Sequence, residues 1–196
     1  KYFDQLWPKE NLGCVNINRV LSHHKNIHYE RLLAYNYFNE LCPYIEKYIK
    51  PHIIDSRFLK ILEIGPGAGN LSIAFRNELE IDHQYFMVDF SEAIIFSALN
   101  IMYHYPKTNI ILPHQIDKDT FSKNQSSFIF ITPEQVNLIP DNYFNVGINT
   151  NSFHEMSEPV ITNYFKLLRK TLLEKNIFFT VNRVEKAMNL ILGKSI

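Results

Sequence analysis

The sequence predicts an α/β domain built on a mostly parallel sheet, and two observations lead to this prediction. First, the short apolar run at 61–64 continues through three alternate glycines into residues typical of a helix. Second, short apolar runs and helical patterns alternate along the chain after this point, which is typical of strands joined by helical crossovers.

The individual elements follow from periodicity and from turn residues. Strands are predicted at 58–64, 84–89, 144–149 and 177–181. Helices are predicted at 70–80, 91–105 and 160–173, with a turn at 174–176. Two apolar runs, 109–112 and 126–132, compete for the place of the third core strand. The second contains the fully apolar stretch Phe-Ile-Phe-Ile, as buried parallel strands do, and it is preferred because the next element follows it closely.

The sequence predicts two parts. Residues 1–57 are expected to form a helical, aromatic cap against the carboxyl ends of the strands, and residues 58–196 are expected to form the sheet domain. Within the cap, Leu33, Tyr37, Phe38 and Leu41 share one face of a helix. Pro43 is expected either to break this helix or to start a new turn.

Composition narrows the class of protein. The 196 residues fit one domain, and 20 basic residues balance 20 acidic ones, which argues against a nucleic-acid partner. No apolar run approaches the length of a membrane span. Cys14 and Cys42 are too few for a disulfide framework, so we expect a reducing, cytoplasmic location. The spacing of His23, His24 and His28 matches no strong metal signature, so no metal site is predicted there.

The glycine-rich stretch is the most informative motif. It reads Glu63-Ile-Gly65-Pro-Gly67-Ala-Gly69, with an acid two residues before the first glycine. The dinucleotide fingerprint would need its third glycine at position 70, where Asn70 stands. About 20 residues further on, the second predicted strand ends in Asp89, a carboxylate placed to accept the two hydroxyls of a ribose.

The glycine motif together with Met87-Val-Asp89 resembles the class I S-adenosylmethionine-dependent methyltransferases. The resemblance implies a Rossmann-like doubly wound methyltransferase fold, with S-adenosylmethionine as cofactor and S-adenosylhomocysteine as product. In that family the glycine loop holds the methionine part and the acid after the second strand holds the ribose. The candidate cofactor-binding residues are Glu63, Gly65, Pro66, Gly67, Gly69, Asp89, Phe90, Glu134, Gln135 and Asn149. Glu134 and Gln135 are equally consistent with ordinary exposed loop residues.

The length of the chain departs from the family pattern. The full methyltransferase sheet has seven strands, of which the last two form an antiparallel hairpin. Only 11 residues follow Glu185, too few for that hairpin. Either the fold ends early or the native protein is longer than this chain, and the second interpretation is preferred.

The polar stretch Asn149-Thr-Asn-Ser-Phe-His-Glu-Met156, with Asn182-Arg183 after the last strand, resembles sugar O-methyltransferases. The resemblance implies methylation of a sugar hydroxyl in polysaccharide or glycosylated natural-product biosynthesis. His154 and Glu155 are the candidate general bases, and Glu155 could instead orient His154 or ligate a divalent cation. A packed loop histidine and a helix-start carboxylate are the competing interpretations. Candidate acceptor-binding residues are Asn151, Ser152, Asn182 and Arg183.

Three other functions remain open at this stage. The chain could methylate another small molecule or a protein, or bind S-adenosylmethionine without catalysis. A nicotinamide-dependent oxidoreductase is disfavoured by Asn70. The acceptor and the oligomeric state are not given by the sequence.

Overall fold

The computed structural model describes residues 29–53, 58–123, 125 and 127–183. Three predictions therefore fall outside the described residues. They are the first half of the cap, the interpretation of His23, His24 and His28, and the continuation of the chain beyond Ile196.

Six parallel strands form one sheet in the order β3-β4-β2-β1-β5-β6. The strands are β1 (Leu59–Ile64), β2 (His83–Val88), β3 (Asn109–Ile111), β4 (Ser127–Ile131), β5 (Phe144–Thr150) and β6 (Leu172–Val181). The helices of the described part are α1 (Tyr29–Tyr44), α2 (Asn70–Glu78), α3 (Ser91–His104) and α4 (Glu158–Thr171). The predicted α/β, Rossmann-like fold is confirmed.

Helices cover both faces of the sheet, which is why its central strands are buried almost throughout. On one face, helices α1, α2 and α3 form a core with the sheet, in which Phe38 of α1 and Phe75 of α2 belong to the same buried cluster as Tyr85 of β2. On the other face, Phe86 and Phe144 pack with Leu168 of α4. The strand order reverses direction at β1, which has β2 on one side and β5 on the other.

Both apolar runs that competed for the third core strand are strands. β4 pairs with β2 along its whole length, with Phe86 beside Ile129, so the preference for the second run is confirmed. The first run is the short edge strand β3, which pairs only with β4.

The prediction of a turn at 174–176 is wrong. These residues lie inside β6, which begins at Leu172 directly after α4 ends at Thr171. Leu172 pairs with Phe144 and Ile177 pairs with Val146, so five steps along β6 match two steps along β5. The polar residues between them form a bulge, which explains why they had the composition of a turn.

One of the two predictions for Pro43 was that it breaks the helix, and this prediction is wrong. Pro43 lies one residue before the end of α1, which continues into a wider π-helical turn at Ile45–Ile49 and a 3-10 turn at Lys50–His52. Proline cannot donate the hydrogen bond of a regular helix and its ring crowds the preceding turn, so the helix widens here. Ile45 and Ile49 are buried and hold this widened segment against the core.

Helix α1 shares the core of the sheet domain. The rings of Phe38 and Phe75 lie 4.9 Å apart between α1 and α2, and Asn77 donates a 2.7 Å hydrogen bond to the Tyr35 hydroxyl. Of the helices in the described ranges, none has the length and apolar character needed to cross a membrane.

Candidate active site

A cleft of about 810 Å³ opens at the carboxyl ends of β1, β2 and β5. This is the point where the strand order reverses, which is where open parallel sheets bind ligands. Its walls are residues 65–68 after β1, Asp89 and Phe90 after β2, residues 150–152 and 155–157 after β5, and one face of α1.

Two glycines of the loop after β1 have different roles. Gly65 has φ +69°, and a Cβ there would lie 2.3 Å from Ser152 Oγ and 2.4 Å from Ser152 Cβ. Gly65 therefore allows the loops after β1 and β5 to touch. Gly67 has φ +55°, and a Cβ there would meet nothing within 4 Å. Its backbone is thus open to a ligand in the cleft.

Two carboxylates line this part of the cleft. Glu63 is 1% exposed and accepts a 2.9 Å hydrogen bond from the Tyr85 hydroxyl. Burial raises the pKa of Glu63 to about 7, and the nearby negative charge of Asp89 adds to this effect. Partial burial also raises the pKa of Asp89, although the backbone N–H groups of Phe90 and Gly67 oppose the shift.

Asn149 is buried, and its side chain joins the end of β1, the loop after β5 and the residue that follows β6. Its amide nitrogen donates to Ile64 O at 2.9 Å and to the Ser152 hydroxyl. Its amide oxygen accepts from Asn182 Nδ2 at 2.8 Å and from Phe153 N at 3.4 Å. Asn149 and Asn182, predicted to bind cofactor and acceptor, are therefore held beneath the cleft and are not among the described residues that line it.

Asn151 and Ser152, both predicted to bind the acceptor, do line the cleft. Asn151 has φ +60°, and its N–H donates to Val181 O at 2.7 Å. In this position Asn151 Nδ2 donates a 2.9 Å hydrogen bond to the Tyr37 hydroxyl of α1. The loop after β5 is thereby fastened to α1.

The two candidate bases face different surroundings. Both belong to the 3-10 turn Phe153–Glu155. Glu155 lines the cleft with a side chain that is 75% exposed, whereas the His154 side chain is 13% exposed and does not line it. His154 Nε2 lies 3.8 Å from Glu155 Oε1, and His154 Nδ1 is buried without a hydrogen-bond partner among the described residues.

The other predicted residues are dispersed. Pro66 and Phe90 line the cleft, and Gly69 caps the start of α2. Gln135 is occupied at the edge of the sheet, where it accepts from Thr132 N and donates to Pro113 O at 2.8 Å. The remaining two, Glu134 and Arg183, are exposed and lie outside the described lining. Within the described ranges, no three His, Cys, Asp or Glu residues are grouped in a way that could hold a metal ion.

Sequence reasoning predicted a helical cap at the carboxyl ends of the strands but did not identify the helix residues that line the cleft. Leu33, Ala34 and Tyr37 of α1 and Val160 of α4 line the cleft. The periodicity of α1 was visible in the sequence, but an apolar helix face looks the same whether it packs on a core or borders a cleft.

Comparison with known proteins places the architecture in a fold family. No protein-family model and no curated protein matches this chain. The solved CurJ carbon methyltransferase superposes with a TM-score of 0.52 at 13% identity, over 92% of this chain and 41% of that one. This chain therefore has the fold of that methyltransferase.

Two other solved structures overlap less well. The trans-methyltransferase CalH in complex with SAH gives a TM-score of 0.48 at 16% identity, over 85% of this chain and 42% of CalH. A SAM-dependent methyltransferase from Aquifex aeolicus gives 0.43 at 15% identity, over 66% of this chain and 61% of that one. This chain therefore spans between 41% and 61% of the length of these three proteins.

Proposed function

We propose that the chain is a methyltransferase that binds S-adenosylmethionine in this cleft and methylates an oxygen, with a sugar hydroxyl as the first candidate acceptor. One observation carries the proposal. The glycine loop, Glu63 and Asp89 line a single cleft at the point where the strand order reverses, in a protein with the methyltransferase fold.

The residues of the cleft fit the parts of this cofactor. The open backbone at Gly67 leaves room for a ligand, and α2 begins beside it with no side chain capping its N-terminus. Free N–H groups at a helix start favour a carboxylate such as that of the methionine part. Asp89 can accept hydrogen bonds from ribose hydroxyls, and the exposed ring of Phe90 offers a surface for the adenine.

Electrostatics also supports the proposal. Four carboxylates line the cleft, from Glu30, Glu63, Asp89 and Glu155, and no Lys, Arg or His is found among the described lining residues. Burial raises the pKa of Glu63 to about 7, so this carboxyl is partly protonated near neutral pH, but the other three acidic residues keep the cleft negative. A negative cleft attracts a positively charged cofactor and repels anionic acceptors. It therefore favours a neutral hydroxyl acceptor over a phosphorylated one.

The cofactor supplies a methyl group made electrophilic by the attached sulfonium. The chain must then hold the acceptor oxygen in line with that methyl and take up the hydroxyl proton. Glu155 is exposed in the cleft and is the better placed proton acceptor. His154 lies behind Glu155, where it can help to orient that carboxylate.

A second candidate function is cofactor binding without methyl transfer. It is favoured by the position of His154, the only histidine of the Asn149–Met156 stretch, away from the described cleft wall. Methylation of another small molecule or of a protein is an alternative with the same cofactor. It is favoured by apolar residues of the cleft wall, such as Leu33 and Val160, which could contact an apolar acceptor.

Calorimetric titration with S-adenosylhomocysteine tests the cofactor, with NAD as the negative control. We expect micromolar binding of S-adenosylhomocysteine and about 100-fold weaker binding by Asp89→Ala, because two hydrogen bonds to a charged group are lost. Asp141→Ala removes an exposed aspartate whose contact is Lys170, and it should bind like wild type.

Absence of S-adenosylhomocysteine binding to the wild type would overturn the proposal. Binding without turnover on neutral sugars, phosphorylated sugars and other hydroxyl compounds would instead favour the non-catalytic function. Turnover on neutral sugars in preference to phosphorylated ones is the expected result.

A further inference from the structure

The outward face of α3 is apolar and exposed along most of its length. Five large side chains make up this α3 stripe, each at least half exposed: Ile95 58%, Phe96 69%, Leu99 59%, Met102 50% and Tyr103 82%. No Asp, Glu, Lys or Arg occurs between Ala93 and Pro106. The face that usually carries the charges of a surface helix is therefore apolar here.

Helix α4, on the opposite face of the sheet, shows how unusual this surface is. Both helices have 14 residues and cover a face of the same sheet. The exposed face of α4 mixes Phe165 and Val160 with Lys166, Arg169 and Lys170. With about 100° of rotation per residue, the α3 stripe fills an arc of about 120° with no interruption by charge.

The size of the stripe indicates an interface. The exposed fractions of its five residues correspond to roughly 700 Å², a sum that includes the hydroxyl of Tyr103, and this area lies at the upper end of the 300–600 Å² of the largest apolar patch on a typical monomer or above it. A standard protein interface buries about 800 Å² on each partner. One stripe packed against an equal surface would provide most of this area.

We propose that the α3 stripe is covered by the same stripe of a second copy of this chain, with the two α3 helices antiparallel about a two-fold axis at Leu99. The spacing of the stripe is symmetric about this residue. Ile95 and Tyr103 lie four positions to either side of it, and Phe96 and Met102 lie three positions to either side. A two-fold contact needs this kind of self-complementary surface.

In this arrangement each residue meets its counterpart across the axis. Leu99 packs on Leu99 of the partner subunit, and Ile95 packs on Tyr103 of the partner subunit. Smaller aliphatic groups thus face larger aromatic ones, which lets the two surfaces interdigitate.

Charge is complementary at the two ends of the contact. Glu92 lies seven residues before Leu99, and Lys107 lies eight residues after it. An antiparallel pair therefore brings the first turn of α3, which carries Glu92, towards the turn after α3 of the partner subunit, which contains Lys107. The same arrangement places the dipoles of the two helices in opposite directions, which is favourable.

The dimer leaves the cleft open. Phe90 and Ala93 line the cleft at the start of α3, but no residue of the stripe is among the described lining residues. Self-association can therefore be tested without reference to the proposed cofactor or acceptor.

Sedimentation velocity on the whole chain, from about 1 to about 100 µM, tests the proposal. We expect a monomer–dimer equilibrium with a Kd of about 10 µM or tighter for an interface of this area. Leu99→Glu should weaken dimerisation about 100-fold, because the axis brings two like charges together. Leu99→Lys should do the same. An equimolar mixture of the two variants should recover a dimer, since opposite charges then meet at the axis.

Leu138→Glu provides the matched control, because Leu138 is also an exposed leucine, 45% exposed, and lies outside the stripe. It should dimerise like wild type, and circular dichroism should show that all variants are folded. A wild type that is monomeric at about 100 µM overturns the proposal. So does a dimer that is insensitive to Leu99→Glu. Protection of Met102 and Tyr103 from hydroxyl-radical oxidation in a monomer would also overturn it, and would show that another part of the same chain covers the stripe.

Discussion

Asn151 donates a 2.9 Å hydrogen bond to the hydroxyl of Tyr37, and this bond joins two parts of the cleft wall that are 114 residues apart. Tyr37 belongs to α1 and packs edge-on against Phe179 of β6 at 6.2 Å. Asn151 is held in the left-handed region by its own backbone bond to Val181. The contact fixes the distance between α1 and the loop that carries Glu155.

Removing the Tyr37 hydroxyl should loosen this wall without removing the ring. We expect Tyr37→Phe to lower the free energy of unfolding by about 1 kcal/mol, the usual net value of such a hydrogen bond, and to weaken binding of S-adenosylhomocysteine severalfold. Thermal unfolding and calorimetry measure the two effects. Tyr44→Phe, in the same helix but 57% exposed, is the control and should leave both quantities unchanged. Equal behaviour of the two variants would mean that the hydroxyl of Tyr37 does not hold the wall.

Glu155 is predicted to act in turnover and not in cofactor binding. Glu155→Gln should lower kcat on the true acceptor by about 100-fold or more, the usual contribution of a general base, with little change in the affinity for S-adenosylhomocysteine. His154→Gln should have a smaller effect, since His154 lies behind the cleft wall. Glu158→Gln removes a nearby carboxylate that does not line the cleft, and should be neutral. Undiminished turnover in Glu155→Gln would exclude Glu155 as the base.

Glu63 should make stability depend on pH in a defined window. Its pKa is raised from 4.5 to about 7 in the folded state because of burial. Below pH 4.5 the carboxyl is protonated in both states, so burial has no ionisation cost. Between pH 4.5 and about 7 the unfolded chain loses the proton first, and folding stability falls as pH rises.

The variant Glu63→Gln should remove this dependence, because the amide does not ionise and its oxygen can still accept from Tyr85. At about 1.4 kcal/mol per pKa unit, the variant should gain on the order of 3 kcal/mol relative to wild type between pH 4.5 and pH 8. Urea unfolding of both proteins at the two pH values measures this difference. Glu174→Gln, an exposed carboxylate of β6, is the control. A constant difference between Glu63→Gln and wild type across this range would contradict the raised pKa.

Alanine substitutions at Gly65 and Gly67 should separate the effect on the free energy of unfolding from the effect on cofactor binding. Gly65→Ala places a Cβ against Ser152 in a left-handed backbone, so we expect a loss of about 3 kcal/mol or more in the free energy of unfolding. Gly67→Ala meets no neighbour and should cost only about 1 kcal/mol of backbone strain. Its methyl group enters the cleft, however, so it should weaken binding of S-adenosylhomocysteine more than it weakens the fold. Equal losses of stability in the two variants would contradict this division.

Local patterns were enough to predict much of the fold. The strands that became β1, β2 and β5 were placed to within one residue, because a short apolar run bounded by turn residues reports burial directly. The same patterns could not distinguish a bulge from a turn at 174–176, since both are polar and exposed. They also could not show that α1 continues through Pro43, because burial of Ile45 and Ile49 holds the widened turn in place.

The sequence by itself determined the parallel α/β fold and the pairing of the glycine loop with Asp89, because both depend on residues close to each other in the chain or on neighbouring strand ends. Only the tertiary structure decided which side chains face the cleft. It placed Glu155 in the cleft and His154 behind it, used Asn149 to join backbone segments, and brought Tyr37 to Asn151. The physical reason is that periodicity reports whether a side chain is buried, whereas its partner depends on contacts between elements far apart in the chain.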